Sequence, residues 1–79
     1  MKEIAPRIVV DPTIRFGQPI IKGTRITADE VLGFVAAGMA NEEIKKEYGL
    51  SKEDILAAVK YASSFVKGER VKLLKPVRA

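Results

Sequence analysis

Cysteine and histidine are both absent from these 79 residues. Without cysteine there is no disulfide to support the fold and no thiolate to act as a nucleophile or metal ligand. Without histidine the chain lacks the commonest general base and the commonest metal ligand. A glycine-rich phosphate loop is missing too, since Gly17, Gly23 and Gly33 do not match its spacing. No apolar run approaches transmembrane length. The opening Met1-Lys2-Glu3 and the early Pro6 lack the apolar stretch of a signal peptide. Internal repeats and low-complexity segments do not occur. The expectation is a non-enzymatic, cytoplasmic protein with no cofactor, no metal and no membrane contact.

Hydrophobic residues make up 47% of the chain, enough for one small domain with a thin core. Small domains of this kind gain stability by association, so a homodimer is expected. The net charge of +4 is unevenly placed. Residues 1–27 carry +3, residues 28–67 carry −2 and residues 68–79 carry +3. Nucleic-acid binding rests mainly on phosphate contacts from lysine and arginine. The basic surface therefore lies on the two arms, and any grip on DNA needs them.

The stretch Asn41–Lys67 reads as two helices joined by a tight turn. Ile44 and Tyr48 lie one turn apart on the first. Gly49 supplies the left-handed residue past its end, and Leu50 follows as an apolar plug. Ser51 caps the next helix, with Asp54 completing a variant of the capping box. Ile55, Val59, Ala62 and Val66 repeat at helical spacing and predict its buried stripe. Together these make a helix-turn-helix pattern. One position departs from it: Lys45 stands where DNA-binding versions usually carry a small residue.

Upstream, Thr27 and Glu30 form a capping box for a first helix. Ala28, Val31, Leu32 and Val35 point to its core face, with Phe34 at the edge. Gly38 ends it, and Gly33 within it suggests a close crossing by another element. The β-branched run within residues 4–10 reads as a strand, Asp11-Pro12 as a turn and 12–19 as a loop. Ile20-Ile21-Lys22 is a second strand, closed by a turn at Lys22-Gly23-Thr24. The spacing thus predicts strands near 7–10 and 20–26 and helices near 28–37, 41–48 and 52–67. Val71 and Leu73 alternate with Arg70 and Lys72, which suggests a further strand in the basic arm 68–79.

The order Asp11-Pro12, Gly17-Gln18-Pro19, Ile21-Lys22-Gly23-Thr24-Arg25, Ala37-Gly38-Met39, Glu42-Glu43-Ile44 and Leu50 through Ile55 resembles the domain-of-unknown-function 433 family (DUF433) over roughly residues 8–63. Many members have serine-proline where Ala40-Asn41 stand here, so Asn41 is the expected cap of the second helix. The resemblance implies a mainly α protein: a three-helix, homeodomain-like helix-turn-helix bundle behind a short N-terminal β-hairpin. It also implies similarity to VapB-type antitoxins, which bind a PIN-like ribonuclease toxin and commonly repress their own operon.

On the third helix, Glu53, Ala57, Lys60, Tyr61, Ser64 and Lys67 lie away from the Ile55 stripe. This is the face a recognition helix presents to the major groove of double-stranded DNA. Lys60, Ser64 and Lys67 are the candidate DNA contacts on it, and the cap Ser51 with Lys52 is placed to reach phosphate; a solvated face is the alternative. Arg25 either binds phosphate or an acidic partner, or pairs with Asp11 or Asp29. The acid pairs Glu42-Glu43 and Glu53-Asp54 sit at helix starts, where carboxylates stabilise the dipole. In the arm, Arg70, Val71, Lys72, Leu73, Leu74 and Lys75 are the candidate partner contacts. Two functions follow: a DNA-binding antitoxin, or a protein-interaction module whose helix pair is structural only.

Overall fold

The computed structural model of the chain describes residues 1–65. Val66, Lys67 and the arm expected to form a strand lie outside the described residues.

The protein is mainly α, with a small antiparallel sheet at its N-terminus. Strand β1 spans Lys2–Ala5, β2 Ile8–Val10 and β3 Ile20–Ile21, in the order β1-β2-β3. The run read as one strand from residue 4 is in fact a hairpin. Pro6 cannot donate to a ladder, and Arg7 takes a φ of +65°, so the chain reverses there. The Arg7 amide is satisfied by Glu3 Oε2 at 2.9 Å. Ile8 faces Ile21 and Val9 faces Ile20, and all four are buried.

Strand β3 is also shorter than the expected 20–26. Gly23 enters a left-handed turn with φ +82°. The Thr24 amide and hydroxyl both donate to the Ile21 carbonyl, at 3.0 and 2.8 Å. The loop before β3 holds a tight 3-10 turn at Arg15–Gly17.

Helix α1 spans Ala28–Ala36, opened by the full capping box that Thr27 and Glu30 predict. Helix α2 spans Asn41–Tyr48. Its cap is Ala40 rather than Asn41: Ala40 has the extended backbone of a cap, and its amide donates to Glu43 Oε1 at 3.0 Å. Asn41 is instead the first helical residue. Gly49 ends the helix at φ +73°, and Leu50 is fully buried, as the sequence predicts. Helix α3 spans Lys52–Phe65. Ser51 Oγ accepts from the Asp54 amide at 3.1 Å, and Asp54 Oδ2 accepts from the Ser51 amide at 3.0 Å.

One core joins sheet and helices: Ile8, Ile21, Ala28, Val31, Ile44, Leu50, Ile55 and Ala58. Phe34 and Tyr48 stack at its edge, ring centroids 4.1 Å apart, and so tie α1 to α2. Three packing expectations are overturned. Val59 is 37% exposed, because α3 turns Ile55 and Ala58 inward and packs Ala57 and Tyr61 against the same cluster. Its buried stripe is therefore rotated towards the sheet. Val35 is 41% exposed, since α1 meets α3 through Ala28 and Val31. Among the described residues, no atom beyond the helix's own nearby backbone lies within 4 Å of a Cβ placed on Gly33, so none of them makes a close crossing that requires that glycine.

Candidate functional site

Grooves of different chemistry border helix α3 near its two ends. At its N-terminal end a polar groove of about 550 Å³ is lined by Ala40, Asn41, Glu42, Lys45, Ser51, Lys52 and Glu53. The turn at Gly49 creates it by folding the start of α2 beside the start of α3. Positions 41, 42 and 45 share one face of α2 because i and i+4 lie above one another on a helix. Lys45, which reads in the sequence as a departure from the motif, therefore lines this groove beside Lys52. Two lysines and two glutamates leave the lining charge-balanced.

At the other end an apolar groove of about 630 Å³ runs between β1 and α3. Ile4, Ala5 and Pro6 form one wall, and Ala57, Lys60, Tyr61, Ser64 and Phe65 form the other. A β-bulge between Glu3 and Ala5 leaves Ile4 without a partner on β2. Bulges re-aim a side chain in this way, and Ile4 is 41% exposed. Tyr61 and Phe65 pack edge to face, 5.0 Å between centroids.

The candidate DNA contacts are thus divided. Ser51 and Lys52 lie in the polar groove, whereas Lys60 and Ser64 line the apolar one. The Ser51 hydroxyl is engaged in the α3 cap, and the Ser64 hydroxyl donates to the Tyr61 carbonyl at 2.7 Å. Tyr61 and Ala57 pack on the core, so the face assigned to groove reading is only partly free. Lys67 and the arm candidates Arg70, Val71, Lys72, Leu73, Leu74 and Lys75 lie outside the described residues.

Arg25 is exposed, and its guanidinium meets neither Asp11 nor Asp29. Asp11 is occupied by the Thr13 amide and hydroxyl, at 2.9 and 2.7 Å; the hydroxyl first and then the amide hold its carboxyl below the usual value. The structural arginine here is Arg15. Its guanidinium grips Glu30 with two hydrogen bonds, of 3.0 and 3.1 Å, and donates to the Arg25 carbonyl at 2.9 Å. This fork, with the Thr27 amide, keeps the Glu30 carboxyl below its ordinary pKa.

Two features escape a reading of the sequence. Arg7 bonds Asp54 at 2.8 Å across the interface of hairpin and helix. Phe16, with φ +59°, stands 96% exposed in the turn that Arg15 anchors. A left-handed backbone is unusual for a bulky residue. The one local signal is its place next to Gly17 in a loop.

The fold is that of a small, mainly α domain, with a helix–glycine turn–helix pair behind a β cap. The family model described as "Protein of unknown function (DUF433)" matches residues 8–62, and the chain belongs to that family. The chain is 32% identical over 60 residues to the protein named "Uncharacterized protein Rv2308" of Mycobacterium tuberculosis. That similarity covers 76% of this chain and 25% of the relative, so the chain spans about a quarter of the relative's length. No solved structure matches the chain. No helix among the described residues is long and apolar enough to cross a membrane.

Proposed function

We propose that this chain is the antitoxin of a toxin–antitoxin pair, a cytoplasmic homodimer that binds a PIN-like ribonuclease and its own operator DNA. The observation that carries this reading is the turn at Gly49. It leaves Lys52 exposed at the first turn of α3 and brings Lys45 into the same groove. Readers of the helix-turn-helix type contact DNA with the N-terminal residues of their second helix, and dimers span two half-sites. The basic segment Arg70–Lys75 is assigned to the toxin, and Arg25 to phosphate.

Fluorescence anisotropy with duplex DNA from upstream of the gene tests this. Affinity should fall steeply between about 50 and 200 mM salt, and Lys45→Ala and Lys52→Ala should each flatten that slope by about one. DNA binding that ignores both substitutions sinks the operator half of the reading. If no PIN-like ribonuclease co-purifies with the chain from its own host, the antitoxin half fails.

A second reading is a protein-interaction module that binds no DNA. It is favoured by Glu42 and Glu53, which offset the two lysines in the polar groove. It predicts no duplex binding at either salt concentration.

A further inference from the structure

We infer that two copies of this chain join through Phe16: the ring of each copy enters a pit on the other, walled by Pro19, Ala28 and Tyr61. The inference rests on the homodimer in the reading above and names its interface. Arg15, Phe16 and Gly17 are all left-handed, with φ of +50°, +59° and +79°. Such a backbone is costly for the two side-chain-bearing residues and persists only where neighbours over-determine it. Arg15 does so here, with its guanidinium bound to Glu30 and to the Arg25 carbonyl. The Gly17 and Gln18 amides close the turn on the Ile14 and Arg15 carbonyls, at 3.1 Å each. Phe16 is left 96% exposed among the described residues. A large ring already fixed in place loses little freedom when a partner covers it.

The pit begins in the same loop. It is an opening of about 100 Å³ lined by Gln18, Pro19, Thr27, Ala28, Asp29 and Tyr61. The Ala28 amide donates to the Pro19 carbonyl at 2.9 Å, which pins the loop to the start of α1. Tyr61, packed on the core, forms the wall from α3. A closed cavity of about 150 Å³ holds benzene, so this smaller, open one takes the outer part of a ring. Tyr61 gives that ring an aromatic neighbour, and Asp29 offers a carboxylate to its electropositive edge.

Knob and pit belong together on one patch, which is why the occupant is a second copy. Phe16 stands three residues before Pro19, so their Cα atoms are at most about 11 Å apart. A two-fold axis between them makes both contacts at once, the self-complementarity that an isologous interface needs. Two seated rings remove on the order of 300–500 Å² from water. That is about a third to a half of the roughly 1,000 Å² that a specific interface buries, and the flanking loop and the start of α1 supply the rest. Tyr61 lies nine residues beyond Lys52, about 13 Å along α3. Pairing here therefore leaves Lys45 and Lys52 uncovered at the Gly49 turn.

The test is sedimentation equilibrium on the full chain, with Phe16→Gly as the variant. Glycine accepts a left-handed backbone, so this change removes the ring and keeps the turn. The wild-type chain should be a dimer, and Phe16→Gly should raise its dissociation constant by about tenfold or more, as loss of an anchor does. In a mixture of isotope-labelled and unlabelled wild-type chains, filtered NOEs should join the Phe16 ring of one copy to Pro19 and the Tyr61 ring of the other. A dimer whose affinity survives Phe16→Gly, or one that lacks those NOEs, overturns this inference and leaves the homodimer to another surface. A monomeric wild-type chain overturns both.

Discussion

Arg7 and Asp54 stand 47 residues apart in the chain, yet Arg7 Nη1 lies 2.8 Å from Asp54 Oδ1. The contact links the hairpin turn to the cap of α3. Asp54 accepts from the Ser51 amide through its other oxygen, so one carboxylate holds both a tertiary and a local contact. The arginine is half exposed, with 51% of its side chain accessible, so solvent screens the pair. A double-mutant cycle with Arg7→Ala and Asp54→Ala should give a coupling of about 0.5–1 kcal/mol, weakened by salt. A coupling of zero means that the pair only marks where the elements meet.

The same carboxylate sets a pH dependence. Desolvation pushes the Asp54 carboxyl up, but the Ser51 amide, the Arg7 guanidinium and the Ser51 hydroxyl outweigh it and hold the pKa below the usual value. Glu30 is lowered as well, chiefly by Arg15. A carboxyl with a folded pKa below its unfolded one favours folding when ionised. That contribution is complete above the unfolded value of about 4 and is lost as pH falls through the lower, folded value. Urea melts from pH 7 to 2 should show stability falling below about pH 4. The fall should be shallower in Asp54→Asn; equal slopes would remove Asp54 from the account.

Helix α3 offers a test of its rotation. Ile55 is 5% exposed and Val59 37%. Ile55→Ala should cost about 2–5 kcal/mol, as deleting a buried aliphatic side chain does. Val59→Ala should cost under about 1 kcal/mol, closer to a surface change. Denaturant midpoints that reverse this order would restore the stripe through Val59.

Two glycines should respond in opposite directions. Gly49 has φ +73°, and Gly33 sits in α1 with no atom of another element among the described residues near a Cβ placed on it. Gly49→Ala should destabilise by about 1–2 kcal/mol, the cost of a left-handed alanine. Gly33→Ala should stabilise by about 0.5–1 kcal/mol. Thermal melts decide, and a destabilised Gly33→Ala would reveal a neighbour at that surface.

What the sequence determined by itself is local. Thr27 with Glu30, Ser51 with Asp54, and Gly49 before Leu50 each specify a cap or stop through residues at most three apart, where backbone amides and side chains meet whatever the rest of the chain does. The family signature rests on the same ordered local pieces. Tertiary structure decided the rest. Periodicity fixes the spacing of a stripe, but its rotation depends on what packs against it, and here the sheet drew Ala57, Ala58 and Tyr61 inward in place of Val59. Which arginine pairs with which acid was likewise out of reach. Arg7, Arg15 and Arg25 are equivalent cations in a list of residues, and only the placement of hairpin, loop and helix gave Asp54 to the first, Glu30 to the second and neither Asp11 nor Asp29 to the third. The division of Ser51 and Lys52 from Lys60 and Ser64 has the same cause. Residues named together as contacts of one helix are set apart in space by roughly two to four helical turns and by a neighbouring strand.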